Sequence, residues 1–368
     1  MKKTLAGSHI VAGVALGAMT LASTAAMAEG KLHIFNWSDY IDEAVIEEFE
    51  AETGIDVTYD VFDSNEILET KLLAGSTGYD LVVPSGAFLA RQIQAGVFQK
   101  LDKSALPNLS NMWDVVSERT DIYDPGNEYS INYMWGTTAI GYNEGMVAER
   151  LGDMPVDSWE IFFNPEMLAK LKDCGVYALD APTELIPAAL RYLGLNPDSH
   201  DKADILKASE LLQKVRPYIQ KFHSSEYINA LANGDICLAV GWSGDVFQAR
   251  DRAAEAENGV SVNYVIPKEG ALMWFDQMAI PADAKNVKEA HIFLDYIMRP
   301  DTIAKASNYV YYANGNKASQ ELLEEDVIGD PAVYPTPEAL ANLYVTTPYP
   351  PKILRVVTRE WTTIKSGQ

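Results

Sequence analysis

Tyr79-Asp80-Leu81-Val82-Val83-Pro84-Ser85 is a nearly continuous apolar run closed by a proline. That is the pattern of a strand buried on both faces of a parallel sheet. The segments around it repeat the theme. Leu32 to Trp37 reads as a first strand, then Ile41, Val45 and Phe49 recur every four residues before a stop at Gly54. Val57 to Phe62 reads as a second strand, and Asp63 with Glu66 has the form of a capping box for a helix over Asn65 to Ala74. Phe88 to Ala95 returns to helical spacing. Residues 31–99 therefore spell βαβαβα, which predicts a parallel sheet covered on both faces.

The rhythm lapses over 100–130, where Pro107, Pro125 and Gly126 mark loops. Ser130 to Tyr142 is extended around a Gly-Thr-Thr centre, and a second alternating unit follows. Its strands are Gly175 to Leu179 and Ile236 to Gly241; its helices are Glu184 to Leu193, Ala203 to Val215 and Ser225 to Asn233. Val262 to Ile266 and Met273 to Ile280 are extended again, and an amphipathic helix over Val287 to Met298 closes at Arg299-Pro300. The acidic stretch Glu321–Asp330 reads as a solvated loop or helix face. Two α/β units joined by extended crossings predict two lobes with a cleft between them.

Composition narrows the function. Lys2 and Lys3, the apolar stretch Ile10 to Leu21 and the A-x-A site Ala26-Met27-Ala28 make residues 1–28 a secretory signal, so the mature chain is expected to be periplasmic or secreted. Without it, 27 basic residues face 52 acidic ones, a net charge of −25. Such a surface is the opposite of a nucleic-acid footprint and draws cations. Cys174 and Cys237 are the only cysteines, and in an oxidising compartment a lone pair favours a disulfide over free thiols.

Catalytic signatures are missing. The sequence holds no G-x-S-x-G, Walker A or G-x-G-x-x-G motif, and His33, His200, His223 and His291 lack metal-ligand spacing. His223-Ser224-Ser225 reads as a helix N-cap. Tyr311-Tyr312 keeps a ferric-ion-binding alternative open.

What stands out is Asn36-Trp37-Ser38-Asp39-Tyr40, with aromatic rings, a carboxylate and a hydroxyl where a strand gives way to a helix. The combination recurs at Trp242-Ser243-Gly244-Asp245 and at Trp274-Phe275-Asp276. Taken singly, each tryptophan is more often core than ligand wall, and the Asp or Ser beside Trp37 also reads as an N-cap. Together they suit a linear diamine, whose ammonium ends need acceptors and whose methylenes need flat apolar walls. In open α/β sheets such residues meet beyond the strand ends, where Trp37, Ser85, Glu184 and Trp242 are all expected. A helix N-terminus near Asp39 would oppose a cation, so the carboxylates must outweigh it.

N-W-S-D-Y-I at 36–41, Y-D-V-F-D-S-N-E at 59–66, L-V-V-P-S at 81–85, F-H-S-S at 222–225, L-A-N-G-D-I-C at 231–237, G-W-S-G-D at 241–245 and Y-A-N-G-N at 312–316 run in order along the mature chain. In these motifs the sequence resembles the periplasmic polyamine-binding proteins of ABC transporters, most closely the putrescine-binding branch. The resemblance implies the two-lobed type II periplasmic binding protein fold, an α/β protein with ligand in the interlobe cleft. It implies a monomer that passes its polyamine to an inner-membrane ABC permease, with no cofactor, metal or catalytic residue. Trp37, Tyr40, Trp242 and Trp274 would line a methylene slot. Ser38, Asp39, Ser85, Glu184, Asp245, Asp276 and Tyr312 would receive the nitrogens, with Asp245 and Asp276 dominant. Cys174 and Cys237 match the family's disulfide positions. Crossings near Thr137–Thr138, Asn263–Val265 and Asn314–Asn316 would divide lobe 1 (29–137 plus 264–314) from lobe 2 (138–263 plus 315–368). Two details depart from the putrescine branch: Trp274 replaces the usual Phe, and Gly86-Ala87 follows Ser85. The larger indole would reshape the slot toward spermidine or cadaverine.

Overall fold

The structure is a computed structural model and describes residues 30–367; the expected signal, 1–28, lies outside the described residues. The first unit forms as its periodicity predicts. Strands β1 (Lys31–Trp37), β2 (Asp56–Phe62) and β3 (Leu81–Val82) are parallel, with β1 in the middle. The helix Glu43–Thr53 is capped by Asp42, whose side chain accepts from Ala44 N, and stops at Gly54, which takes the left-handed φ of 70°. The run at 79–85 yields only a short strand. Pro84 has no N–H to donate, and the chain leaves the ladder after one more contact, Gln277 N to Pro84 O at 2.9 Å.

The next helix corrects the capping-box reading. Ser64, not Asp63, is the N-cap of Asn65–Ala74; its hydroxyl accepts from Ile67 N, and Asp63 is left free to face elsewhere. Likewise Arg299-Pro300 does more than end the helix Val287–Ile297. Pro300 opens a further helix, Pro300–Val310, at a position where its missing N–H costs nothing. The acidic stretch is part 3₁₀ turn and part short helix, Glu325–Ile328, with Val327 buried beneath it.

The remaining strands are β4 (Ser130–Asn143), β5 (Val176–Ala178), β6 (Lys221–Phe222), β7 (Leu238–Trp242), β8 (Val262–Val265), β9 (Leu272–Ala279) and β10 (Ala313–Asn314). The backbone order is β2-β1-β3-β9-β4-β7-β5-β6, with β8 and β10 also paired to β4. The sheet is mixed: β5, β6 and β7 are parallel, whereas β9 is antiparallel to β3 and β4, and β4 to β7.

Everything hangs on β4. At 14 residues it is about 45 Å of extended chain, long enough to serve two lobes. Its first part, Ser130–Thr138, pairs with β9; its second, from Thr138 onward, pairs with β7 and β8. The hydrophobic interior divides along it. Met134 belongs to a core with Leu32, Ile34, Phe49, Leu81 and Phe293, while Trp135 belongs to a second core with Phe162, Val176, Leu212, Val240 and Ile364. These are two lobes of one mixed α/β fold. At the passage between them Gly136 has no room for a side chain, since a Cβ would sit 2.7 Å from the Trp274 ring.

Cys174 and Cys237 form a disulfide with Cα atoms 5.5 Å apart, linking the approaches to β5 and β7. No helix among the described residues is long and apolar enough to cross a membrane. With its ends 63 positions apart in sequence, the disulfide restricts the unfolded chain by about 4 kcal/mol in the loop-entropy model. Replacing both cysteines by serine is expected to lower the denaturant-derived stability of the second lobe by roughly that amount, and a loss of less than about 1 kcal/mol would contradict it.

Candidate functional site

Between the lobes lies a slot of about 450 Å³ including its opening. Trp37, Ser38, Tyr40, Ser85, Glu184, Trp242, Asp245, Trp274, Asp276 and Tyr312 all line it. The topology explains the convergence. Trp37 ends β1, Ser85 follows β3, and Trp242 ends β7. Glu184 and Asp245 stand in the first turns of the helices Pro182–Tyr192 and Ser243–Glu255. Trp274 and Asp276 come from the middle of β9, and Tyr312 follows the helix Pro300–Val310.

Asp39 is the exception. It takes a left-handed φ of 53° that turns it out of the slot, and its carboxylate accepts from Arg252 Nη2 at 2.7 Å. Gln248 Nε2 donates to its carbonyl at 3.2 Å. Asp39 and Arg252 thus tie the two lobes together at the rim. The first helix begins at Glu43, beyond Asp39, so the feared clash of helix dipole and ligand cation does not arise there. Of the helix N-termini that reach the slot, two carry Glu184 and Asp245 in their first turns, which offset the positive ends, whereas the helix Gly86–Gln94, entered at Ser85, has no acid there.

The walls are aromatic. Trp37 and Trp242 meet edge to face at 5.4 Å from opposite lobes. Tyr312 packs against Tyr40 and against Trp274, each at 5.2 Å. Trp37 is fixed by its indole N–H, which donates to Val83 O at 2.9 Å.

The charges are carboxylates held by hydroxyls. Tyr40 and Ser85 donate to Asp276 at 2.9 and 2.6 Å. Tyr227 and Tyr312 donate to Asp245 at 2.7 and 2.8 Å. Thr138, on the shared strand β4, donates to Glu184 at 2.5 Å. Asp245 and Asp276 are only 6% and 4% exposed; Glu184 is half-buried. No lysine, arginine or histidine among the described residues makes an ion pair with any of the three; Arg252, which acts on Asp245 from a distance, spends its guanidinium on Asp39. Burial is the main cause that pushes each of Glu184, Asp245 and Asp276 up to about 7, against the hydrogen bonds that pull them down.

Three slot residues escaped the sequence reading: Asp63, Asn65 and Ser224. Two lie in quoted motifs just past β2, and the third in F-H-S-S before the helix Tyr227–Asn233, so their place beyond strand ends was available as a signal. Asn65 matters indirectly. Its amide donates to Ser85 Oγ at 2.9 Å and its carbonyl accepts from Ser85 N at 3.0 Å, which aims the serine at Asp276. His223-Ser224-Ser225 is not the N-cap of the helix Tyr227–Asn233, a place taken by Glu226; His223 Nδ1 instead accepts from Ser225 N and Glu226 N in the turn before it. Tyr311 and Tyr312 do not converge: Tyr312 faces Asp245, while Tyr311 approaches Asp326 and the Arg250 side chain. Among the described residues no cluster of His, Cys, Asp and Glu has the arrangement to hold a metal ion.

A carboxyl whose midpoint is raised by folding binds its proton more tightly in the native state than in the unfolded one. The empty protein should therefore lose stability as pH rises from about 4 through about 7, the window set by Asp245, Asp276 and Glu184. Asp276→Asn is expected to raise the Tm of the ligand-free protein at pH 8 and to flatten this dependence. A Tm that stays unchanged, or falls, at pH 8 would contradict it.

Residues 44–360 match the family model for bacterial extracellular solute-binding proteins. The chain is 53% identical to the putrescine-binding periplasmic protein PotF of Escherichia coli, covering 100% of this chain and 99% of that one. It is 52% identical to the putrescine-binding periplasmic protein SpuD of Pseudomonas aeruginosa, covering 97% and 99%. Among solved structures, the spermidine/putrescine ABC transporter substrate-binding protein PotD of Streptococcus pneumoniae superposes with a TM-score of 0.74 at 30% identity, covering 92% of this chain and 99% of that one. With its fold divided along β4 and its slot between the lobes, the chain belongs to the bacterial extracellular solute-binding proteins, in their two-lobed type II form.

Proposed function

We propose that this protein is a periplasmic receptor that captures a polyamine, putrescine foremost, and delivers it to an inner-membrane ABC permease, without catalysing a reaction. The observation that carries this reading is the slot itself: the buried Asp245 and Asp276 and the half-buried Glu184, with no ion-pair partner among the described residues, between aromatic walls. An ionised carboxylate out of water needs a positive partner, and an alkyl chain with an ammonium at each end supplies one at both ends. The indole and phenol faces take the methylenes and attract the ammonium groups.

Asp276 stands on the first lobe, Asp245 and Glu184 on the second, so a ligand bridging them stabilises the closed arrangement and shifts the lobe equilibrium toward it. In this reading lobe 1 comprises 29–137 plus 264–314 and lobe 2 comprises 138–263 plus 315–368. The passages at Thr137–Thr138, Asn263–Val265 and Asn314–Asn316 bend. Asp39 and Arg252 act as a rim contact that forms on closure. The receptor works as an exported monomer in the periplasm, with no nucleic-acid partner.

A second reading, a preference for spermidine or cadaverine, is favoured by two features. Trp274 places an indole in the slot wall, packed against Gly136, and Glu184 adds a third carboxylate that a triamine would match. A ferric-ion receptor has less support, because Tyr311 and Tyr312 point apart.

Calorimetric titration with putrescine, spermidine and cadaverine tests the proposal, and folded protein that takes up none of them would reject it. Asp245→Ala or Asp276→Ala should each weaken binding by several-fold to thousand-fold, because truncating one partner of a desolvated ion pair costs about 2–5 kcal/mol. Wild-type affinity in both variants would move the site elsewhere. Trp274→Phe should redistribute affinity among the three ligands, and an identical profile would show that this position does not select.

A further inference from the structure

Tyr227 is the first residue of the helix Tyr227–Asn233 and is fully buried. It does not line the slot, yet its phenol touches two residues that do. It donates to Asp245 Oδ2 at 2.7 Å and accepts from Trp242 N at 3.0 Å. Its ring comes this close only because residue 241 is glycine; a Cβ there would stand 2.4 Å from Tyr227 Cε2.

The direction of these bonds is fixed. A phenol has one hydrogen to give. With the backbone N–H of Trp242 aimed at its oxygen, the Tyr227 hydrogen is committed to the carboxylate. Tyr312 repeats the device from the other side: it accepts from Asp245 N at 3.1 Å and donates to Asp245 Oδ1 at 2.8 Å. Both carboxylate oxygens thus face a committed donor, an arrangement that suits an anion and disfavours the protonated acid. The other charged or titratable groups acting on Asp245 are Asp39 in the turn after β1, Arg252 two turns along its own helix, and Asp276 and Tyr40 across the slot.

We propose that Tyr227 is a positioning residue for ligand capture: wired by the Trp242 amide, it holds Asp245 as an acceptor-only anion and locks that anion to the Trp242 wall. The ligand half of this inference rests on the polyamine reading; the electrostatic half does not.

Asp245 already titrates high through burial, and the Tyr227 hydrogen bond is the first of the influences that lower it. The test is the titration of the Asp245 carboxyl carbon by NMR in ligand-free protein. Tyr227→Phe should raise the midpoint by about one pH unit. A fluorinated tyrosine at 227, which keeps the ring's shape and donates more strongly, should lower it. A midpoint unmoved in either protein overturns the inference, and the fluorinated variant decides the matter if the phenylalanine variant does not fold.

Calorimetry with putrescine adds the functional arm. Tyr227→Phe should weaken binding about tenfold at pH 7, less at pH 9, and hardly at all in an Asp245→Asn background. A loss of equal size at every pH and in that background would mark Tyr227 as a packing residue and overturn its positioning role. If the wild-type protein binds no polyamine, the receptor reading fails while the carboxyl titration still decides Tyr227.

Discussion

Two buried carboxylates and a half-buried third line the slot with no cationic side chain among the described residues paired to them, and the rest of the site follows from that constraint. Burying an anion without a counter-charge is costly, and the chain meets the cost only partly, with hydroxyl donors. Tyr40, Ser85, Tyr227, Tyr312 and Thr138 satisfy some of the oxygens' hydrogen-bonding capacity, yet none brings a positive charge. Glu184, Asp245 and Asp276 are therefore pushed up to about 7, chiefly by burial. An empty slot of this kind is electrostatically incomplete. That incompleteness is what the proposed ligand relieves, and it favours cations that are polyvalent and elongated over compact ones.

In the proposed reading the same constraint gives the division of the fold its use. If all three carboxylates belonged to one lobe, ligand binding would have no reason to change the relation between lobes. Instead Asp276 rides on β9 with the first core, whereas Asp245 and Glu184 start helices of the second. Strand β4 belongs to both, and Thr138, where its pairing passes from β9 to β7, donates directly to Glu184. Charge in the slot and geometry at the crossing are thus joined by one hydrogen bond. At the rim, the exposed Asp39–Arg252 pair lies across the lobes. A half-exposed pair is worth only about 0.2–1 kcal/mol, enough to bias a closed state that is near balance and too little to hold one shut.

Much of this was legible in the chain. The βαβαβα periodicity of residues 31–99 gave the parallel β2-β1-β3 arrangement because alternating and four-residue spacings report which side of an element is buried, a local property. The aromatic-plus-acid clusters pointed to the slot because strand ends in such sheets face one crevice. Local rules misjudged positions where two candidates compete. Asp63 and Ser64 both suit an N-cap, and only the backbone path chose Ser64, freeing Asp63 for the slot. Asp39 looked like a ligand carboxylate by composition, but a left-handed turn and an arginine more than 200 residues away claimed it.

The sequence by itself determined the fold class, the disulfide partners and the chemistry of the slot, since these depend on residue type and on periodicity along the chain. Tertiary structure alone decided which carboxylate meets which hydroxyl, that Tyr227 and Asn65 brace the site from behind, and that Asp39 spans the rim. Those pairings join segments far apart in sequence, and their partners are set by how β4 of the one mixed sheet is shared between two lobes, a relation no local pattern encodes.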